Sequence, residues 1–202
     1  VNIDYKQKAR EYISAVNNYD EKTIREMVTE DYIQHNPNVP TGREAFISFL
    51  PKLEEHQSKI ENIRMLSDGK YIIMHHKWHN AIPFGAKDMV AFHIIRFDDS
   101  CKIAEHWNVI SKESSVEGKS EIIDFEKTDL NKNIIIDLFK ARENKQHIVF
   151  GEGNFVLSIS EIDEAASYDL YNIKNAGIVE HWNVSQKIPV ENLSNTNTMF
   201  NF

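Results

Sequence analysis

Glu105-His106-Trp107-Asn108-Val109 returns, letter for letter, as Glu180-His181-Trp182-Asn183-Val184. Five identical residues that include a Trp and a His are not a chance event. Each copy closes a stretch with the same layout: β-rich residues, a polar turn, then Ile-Ala or Ile-Val leading into the repeated word. A repeat sets how many units a chain holds before any fold can be assigned. It predicts two related units here.

The 202 residues suffice for one large or two small domains, and aromatics at 10% can build a core. A net charge of -8 argues against nucleic acid and against an anionic membrane surface as partners. No apolar run approaches the roughly 18 residues that span a bilayer. No signal peptide is read at the start, and Cys101 is the single cysteine. Both fit a reducing, cytoplasmic setting.

Tyr5, Ala9, Tyr12, Ile13 and Val16 recur at helical spacing and predict a helix over 4–17. Asp20 reads as the N-cap of a short second helix. Residues 31–35 read as a short strand, closed by Asn36-Pro37. Thr41 and Glu44 form a capping-box pattern ahead of a third helix carrying Phe46, Phe49, Leu50 and Leu53. Pro51 is expected to kink or limit that helix. Strands follow over about 60–66, 70–80, 87–97 and 102–111. After a polar stretch, Ile134, Ile135, Leu138 and Phe139 repeat the first helix, and strand patterns at 148–159, 166–173 and 177–186 complete a shorter unit. The expected division is 1–112, a linker at 113–127, and a truncated repeat with its tail at 128–202. A sheet without helices cannot hide its apolar face alone. The second unit must lean on the first or on another chain.

Two helices, Tyr32-Ile33-Gln34-His35-Asn36-Pro37, Gly42, a third helix and a sheet ending in Glu105-His106-Trp107-Asn108 resemble the SnoaL-like polyketide cyclases of the nuclear-transport-factor-2-like superfamily. The resemblance covers most of 5–111 and continues in weaker form over 128–189. It implies an α+β fold: a cone-shaped domain in which a curved mixed or antiparallel sheet wraps three helices around a pocket, here followed by a truncated second copy. Such domains pair through the sheet's other face, so the two copies imply an internal pseudo-dimer, a homodimer, or both. In the family's cyclases an Asp acid/base with a nearby His carries an aldol ring closure. The His position matches His93, but the Asp position holds Asn108, and an amide cannot exchange a proton near neutral pH. The second unit has Asp169 and Asn183 at the same two positions.

Strand geometry agrees that His93 and Asn108 can meet. A hairpin through 98–101 pairs His93 with His106 or with Asn108, and paired residues share a face. That face is either the pocket or an interface, because a one-residue slip exchanges the two. In the pocket, a His-Asn pair on an apolar wall orients a small ligand; in a core, the Asn merely satisfies the His. In His75-His76-Lys77-Trp78-His79 the first and last His share one face, and His76 and Trp78 the other. His75 and His79 stand too far apart for one ion, so no metal is expected. No Gly-rich phosphate loop or nucleophile elbow implies any other cofactor. Trp107 and Trp182 read first as packing or interface residues.

The expected function is a pocket for a small hydrophobic, carbonyl-containing ligand. If the pocket is catalytic, His93 abstracts a proton next to the carbonyl, Asn108 holds the carbonyl oxygen, and Tyr32 or His35 assists. The further candidate ligand contacts are His75, Trp78, His106 and Trp107. The rivals are a non-catalytic binding domain and an interaction protein that uses its sheet face.

Overall fold

The computed structural model describes residues 3–141 and 145–202. Helix α1 (Tyr5–Asn17) is capped by Asp4, whose carboxylate accepts from the Gln7 N–H at 2.9 Å. It buries Ala9, Tyr12, Ile13 and Val16, the face its spacing predicts. Helix α2 (Glu21–Met27) starts under the Asp20 cap and runs straight into strand β1 (Val28–Gln34), longer than the sequence pattern suggests.

The expected capping box before helix α3 (Arg43–Glu55) does not form. Gly42 is the residue before the helix, at φ 97°, a conformation that a side chain disfavours. This turn carries Thr41 away from the helix, and its hydroxyl accepts from the Gln34 N–H instead. Glu44 pairs with Arg25 of α2. Nor does Pro51 end the helix, which continues to Glu55. A proline removes one helix hydrogen bond, but Leu50 and Leu53 beside it are buried in the cone and hold the turn in place.

Strands β2 (Lys59–Asp68), β3 (Tyr71–His79), β4 (Asp88–Phe97) and β5 (Ile103–Ser111) form an antiparallel meander. Strand β1 joins it in parallel beside β5, giving the order β1-β5-β4-β3-β2. The three helices close one face of this sheet. Beyond 111 come an irregular stretch that ends in a short 3-10 turn (Phe125–Lys127), helix α4 (Thr128–Ala141), and strands β6 (Lys145–Glu152), β7 (Phe155–Ile162), β8 (Ala165–Lys174) and β9 (Gly177–Lys187). These four form a second antiparallel meander in sequential order. Helix α4 followed by four strands has the layout of α1 followed by β2–β5, without α2, β1 and α3.

The two sheets pack face to face. Leu66, Ile73, Val90, Phe92, Ile94, Trp107 and Val109 of the first meet Phe155, Leu157, Ile159, Tyr168, Leu170, Trp182 and Val184 of the second, all buried. Both Trp residues of the repeated word face this shared core, and each also holds a strap. Trp107 donates its indole N–H to the Asn201 carbonyl of the C-terminal tail at 3.1 Å. Trp182 donates to the Glu117 carbonyl at 2.6 Å.

The connection between the sheets is fastened at several points. Arg64, buried with its guanidinium 3.8 Å over the Trp182 ring, donates to the carbonyls of Val116 and Lys119. Gly118, at φ 119°, lies so close that a Cβ would sit 2.7 Å from Trp182 and from Glu180. Gly118→Ala is therefore expected to lower stability by about 1–3 kcal/mol, read from urea unfolding. An unchanged midpoint would show that this strap carries no load.

Candidate functional site

The pleat sends alternate residues of β3, β4 and β5 into the cone. His93 pairs with Asn108 across β4 and β5, the second of the two registers open to the sequence. Met74, His76 and Trp78 of β3, His93 of β4, and His106 and Asn108 of β5 line a cavity. Tyr12, Ile13 and Val16 of α1 and Phe46, Phe49 and Leu53 of α3 close it from above. This inner chamber holds about 80 Å³. It opens into a vestibule of about 270 Å³, with which it shares Val39, Trp78, Phe84, His93 and Asn108. A drug-sized ligand needs roughly 300 Å³ or more, so the inner chamber alone admits only a few atoms.

The polar end of the cavity is a chain of hydrogen bonds. Tyr32 Oη and Gln34 Nε2 lie 2.8 and 3.0 Å from His106 Nδ1. His106 Nε2 lies 2.8 Å from His93 Nδ1, and His93 Nε2 lies 3.5 Å from Trp78 Nε1. His76 stands edge-on to His93, with ring centroids 4.9 Å apart. Burial pushes His93 down to about 3. Burial, helped by the neighbouring histidines, holds His76 and His106 well below the usual range. Burial also holds the Tyr32 phenol protonated. At neutral pH this chain carries no charge.

Of the candidates from sequence, His93, Asn108, Trp78 and His106 come together here. Tyr32 stands one layer back, behind His106. Three others do not belong to the pocket. His75 points through the opposite pleat into the core between the sheets, stacked on Phe92 at 4.3 Å and bonded to Arg64 at 3.1 Å. Trp107 lies between His106 and Asn108 in sequence and so takes the other face, stacked on His35 at 4.4 Å. His35 turns the same way, between Glu105 at 2.8 Å and the Thr198 carbonyl at 2.9 Å. Both of its ring nitrogens face acceptors and are used up.

Sequence reasoning passed over His76 and Gln34. The signal for His76 was its shared face with Trp78. No sequence pattern pointed to the contacts that the tail makes. Asn195 donates to the carbonyls of Asn36 at 2.9 Å and Val39 at 2.7 Å, and Asn197 donates to the Gln34 carbonyl. Gln186 of β9 and Asn36 exchange amide hydrogen bonds at 3.1 and 3.2 Å beside the vestibule. The second unit and the tail thus hold the rim of the first unit's cavity.

The second sheet repeats the pair at the same register. Asp169 pairs with Asn183, and His181 Nε2 lies 2.7 Å from Asp169 Oδ1, where the first unit has His106 against His93. Its face is only partly covered, by α4 through Ile135 and Phe139.

In the first unit a sheet wraps three helices around an internal cavity. Residues 9–106, just under half the chain, match the family model for the SnoaL-like domain. Among solved structures, the chain is similar to IdmH of Streptomyces antibioticus, a protein assigned as a polyketide cyclase. The identity is 17% and the TM-score 0.47, covering 54% of this chain and 93% of that one. It is also similar to an NTF2-like protein of unknown function from Cytophaga hutchinsonii, at 14% identity and a TM-score of 0.45, covering 55% and 93%. No curated protein sequence matches the chain. Among the described residues, no helix is long and apolar enough to cross a membrane.

The neutral histidines set a pH dependence. In the fold His75, His76, His93 and His106 all sit below the value of about 6.5 that an unfolded histidine has. The unfolded chain therefore takes up protons first. Their contribution is intact above about pH 6.5 and is lost as pH falls toward the folded values. The urea midpoint is expected to fall already between pH 6.5 and about 5, above the range of ordinary carboxylates. A flat midpoint across that window would contradict the neutral, buried chain.

Proposed function

We propose that the first unit binds a compact, largely apolar ligand bearing a carbonyl group, without abstracting a proton from it. The observation that carries this reading is the two-chambered cavity: apolar walls with a small set of uncharged polar groups at one end, the usual build of a small-molecule site. Proton abstraction is disfavoured by the same chemistry. A base works best with a pKa near the working pH, whereas His93 is held at about 3. Among the described residues no carboxylate lines either chamber. A polycyclic substrate exceeds the inner chamber, so such a ligand would have to lie mainly in the vestibule.

The reading is tested by adding small cyclic ketones to the full chain and following thermal unfolding. A concentration-dependent rise in Tm is expected, together with no deuterium uptake at the ketone's α-carbon beyond the buffer rate. Val16→Phe, which fills the inner chamber, is expected to abolish the rise. A ketone that never raises Tm, or raises it equally in Val16→Phe, removes the pocket reading. Enzyme-dependent deuterium uptake restores the catalytic one.

The second sheet with α4 reads as a shortened copy whose outer face covers the first, an internal pseudo-dimer. The face through which such domains pair is then already occupied. Light scattering is expected to give the monomer mass near 23.5 kDa; a stable dimer would place a second interface elsewhere.

A further inference from the structure

Three tail residues serve the carbonyls of segment 34–39. Asn197 donates to that of Gln34 at 2.9 Å, and Asn195 to those of Asn36 and Val39 at 2.9 and 2.7 Å. The Ser194 N–H donates to the Pro37 carbonyl at 2.8 Å and its hydroxyl to that of Asn38 at 3.3 Å. The same segment forms a wall of the cavity. Gln34 and Val39 line the inner chamber, and Asn36, Asn38 and Val39 line the vestibule. A carbonyl stripped of its donor in a closed site costs free energy, so this wall keeps its shape while the tail is docked.

His35, inside the segment, ties the tail to the sheet. Its Nδ1 lies 2.9 Å from the Thr198 carbonyl and its Nε2 lies 2.8 Å from Glu105 Oε2. Both partners only accept. Thr198 offers a backbone oxygen, and Glu105 is a carboxylate that also accepts from Arg96 Nε at 2.7 Å. A neutral imidazole has one N–H and one lone pair, so it serves one partner and turns its lone pair on the other. The imidazolium donates to both. A hydrogen bond to a carboxylate is the stronger of the two. A His35 that gives up one proton therefore keeps Glu105 and faces the Thr198 carbonyl with a lone pair.

We infer that the C-terminal tail is a latch on the cavity wall, pinned by the second proton of His35. With two N–H protons on His35 the tail is closed over 34–39. Loss of one, as pH rises, frees Thr198 and loosens the mouth of the cavity. The groups around the ring leave His35 as the pin. Arg96 stays charged, burial keeps Tyr71 a protonated phenol, and burial keeps His106 neutral. Residues 194–202 carry no charged side chain. The latch works whether or not the cavity takes a ketone.

The three tryptophans report on the latch separately in the ¹⁵N-labelled full chain. Trp107 donates to the Asn201 carbonyl and reads tail docking. Trp78 lines both chambers and reads access to the cavity. Trp182 donates to the Glu117 carbonyl of the other strap and serves as reference. Solvent exchange of the three indole N–H groups is followed from about pH 5.5 to about 9, a span that brackets the ordinary histidine value, beside long-range ¹⁵N spectra of His35. As pH rises, His35 is expected to pass from two N–H protons to one. Exchange at Trp107 and Trp78 should rise about fivefold or more relative to Trp182 with the same midpoint, the scale of one net hydrogen bond. Asn195→Ala, which removes two tail bonds and leaves His35 in place, should raise both ratios already at the lowest pH. A His35 with one N–H proton at every pH, or ratios that stay flat across its titration, overturns the pin. A rise at Trp107 without one at Trp78, or unchanged ratios in Asn195→Ala, overturns the latch on the cavity.

Discussion

The outer face of the first sheet is apolar and cannot be left in water. Ile73, Phe92, Ile94, Trp107 and Val109 alternate with the residues that line the cavity, one pleat apart on the same strands. Whatever covers that face also fixes the strands that aim His93 and Asn108. The second sheet does so with its own apolar side, and the arrangement is reciprocal, since it has too few helices to cover both of its faces. Two sheets packed face to face interdigitate their inner side chains into one core. The straps over Trp107 and Trp182 follow from it: each indole is buried, and each buried N–H needs an acceptor.

The same burial explains the chemistry of the cavity. Imidazoles enclosed by aromatic and aliphatic walls cannot hold a proton's charge, so they stay neutral and pass hydrogen bonds along a line. A neutral line recognises a dipole well and moves a proton poorly. Asn108 beside them is an amide, which likewise neither takes nor gives a proton near neutral pH. The site keeps direction and gives up acidity.

Much of this was legible in the residues. Period-two alternation and the turn at 98–101 left two registers for His93, and both brought it to the β5 residues that matter. The repeated word announced two sheets, and the shortness of the second unit announced its dependence on a neighbour. What the pattern left open was which face is which where both are buried. His75-His76-Lys77-Trp78-His79 places imidazoles on either side of one strand, and only the packing of Arg64 and Trp182 shows that His75 belongs to the sheet interface. The Thr41 and Glu44 pattern was overruled by the φ of Gly42. The tail contacts were invisible, because Asn195 and Asn197 act on backbone carbonyls more than 150 residues earlier. Such bonds leave no periodicity.

The cross-strand positions occupied by His93 and Asn108 in one sheet are occupied by Asp169 and Asn183 in the other. In an assembly of two identical chains every substitution appears twice, and both partners must tolerate it. Two sheets encoded in series escape that rule. An acidic side chain, buried at 7% exposure, can stand on the second sheet bonded to His181 and Ser167, while the cavity of the first stays uncharged. Covalent linkage thus lets one half specialise in enclosing a cavity and the other in supporting it.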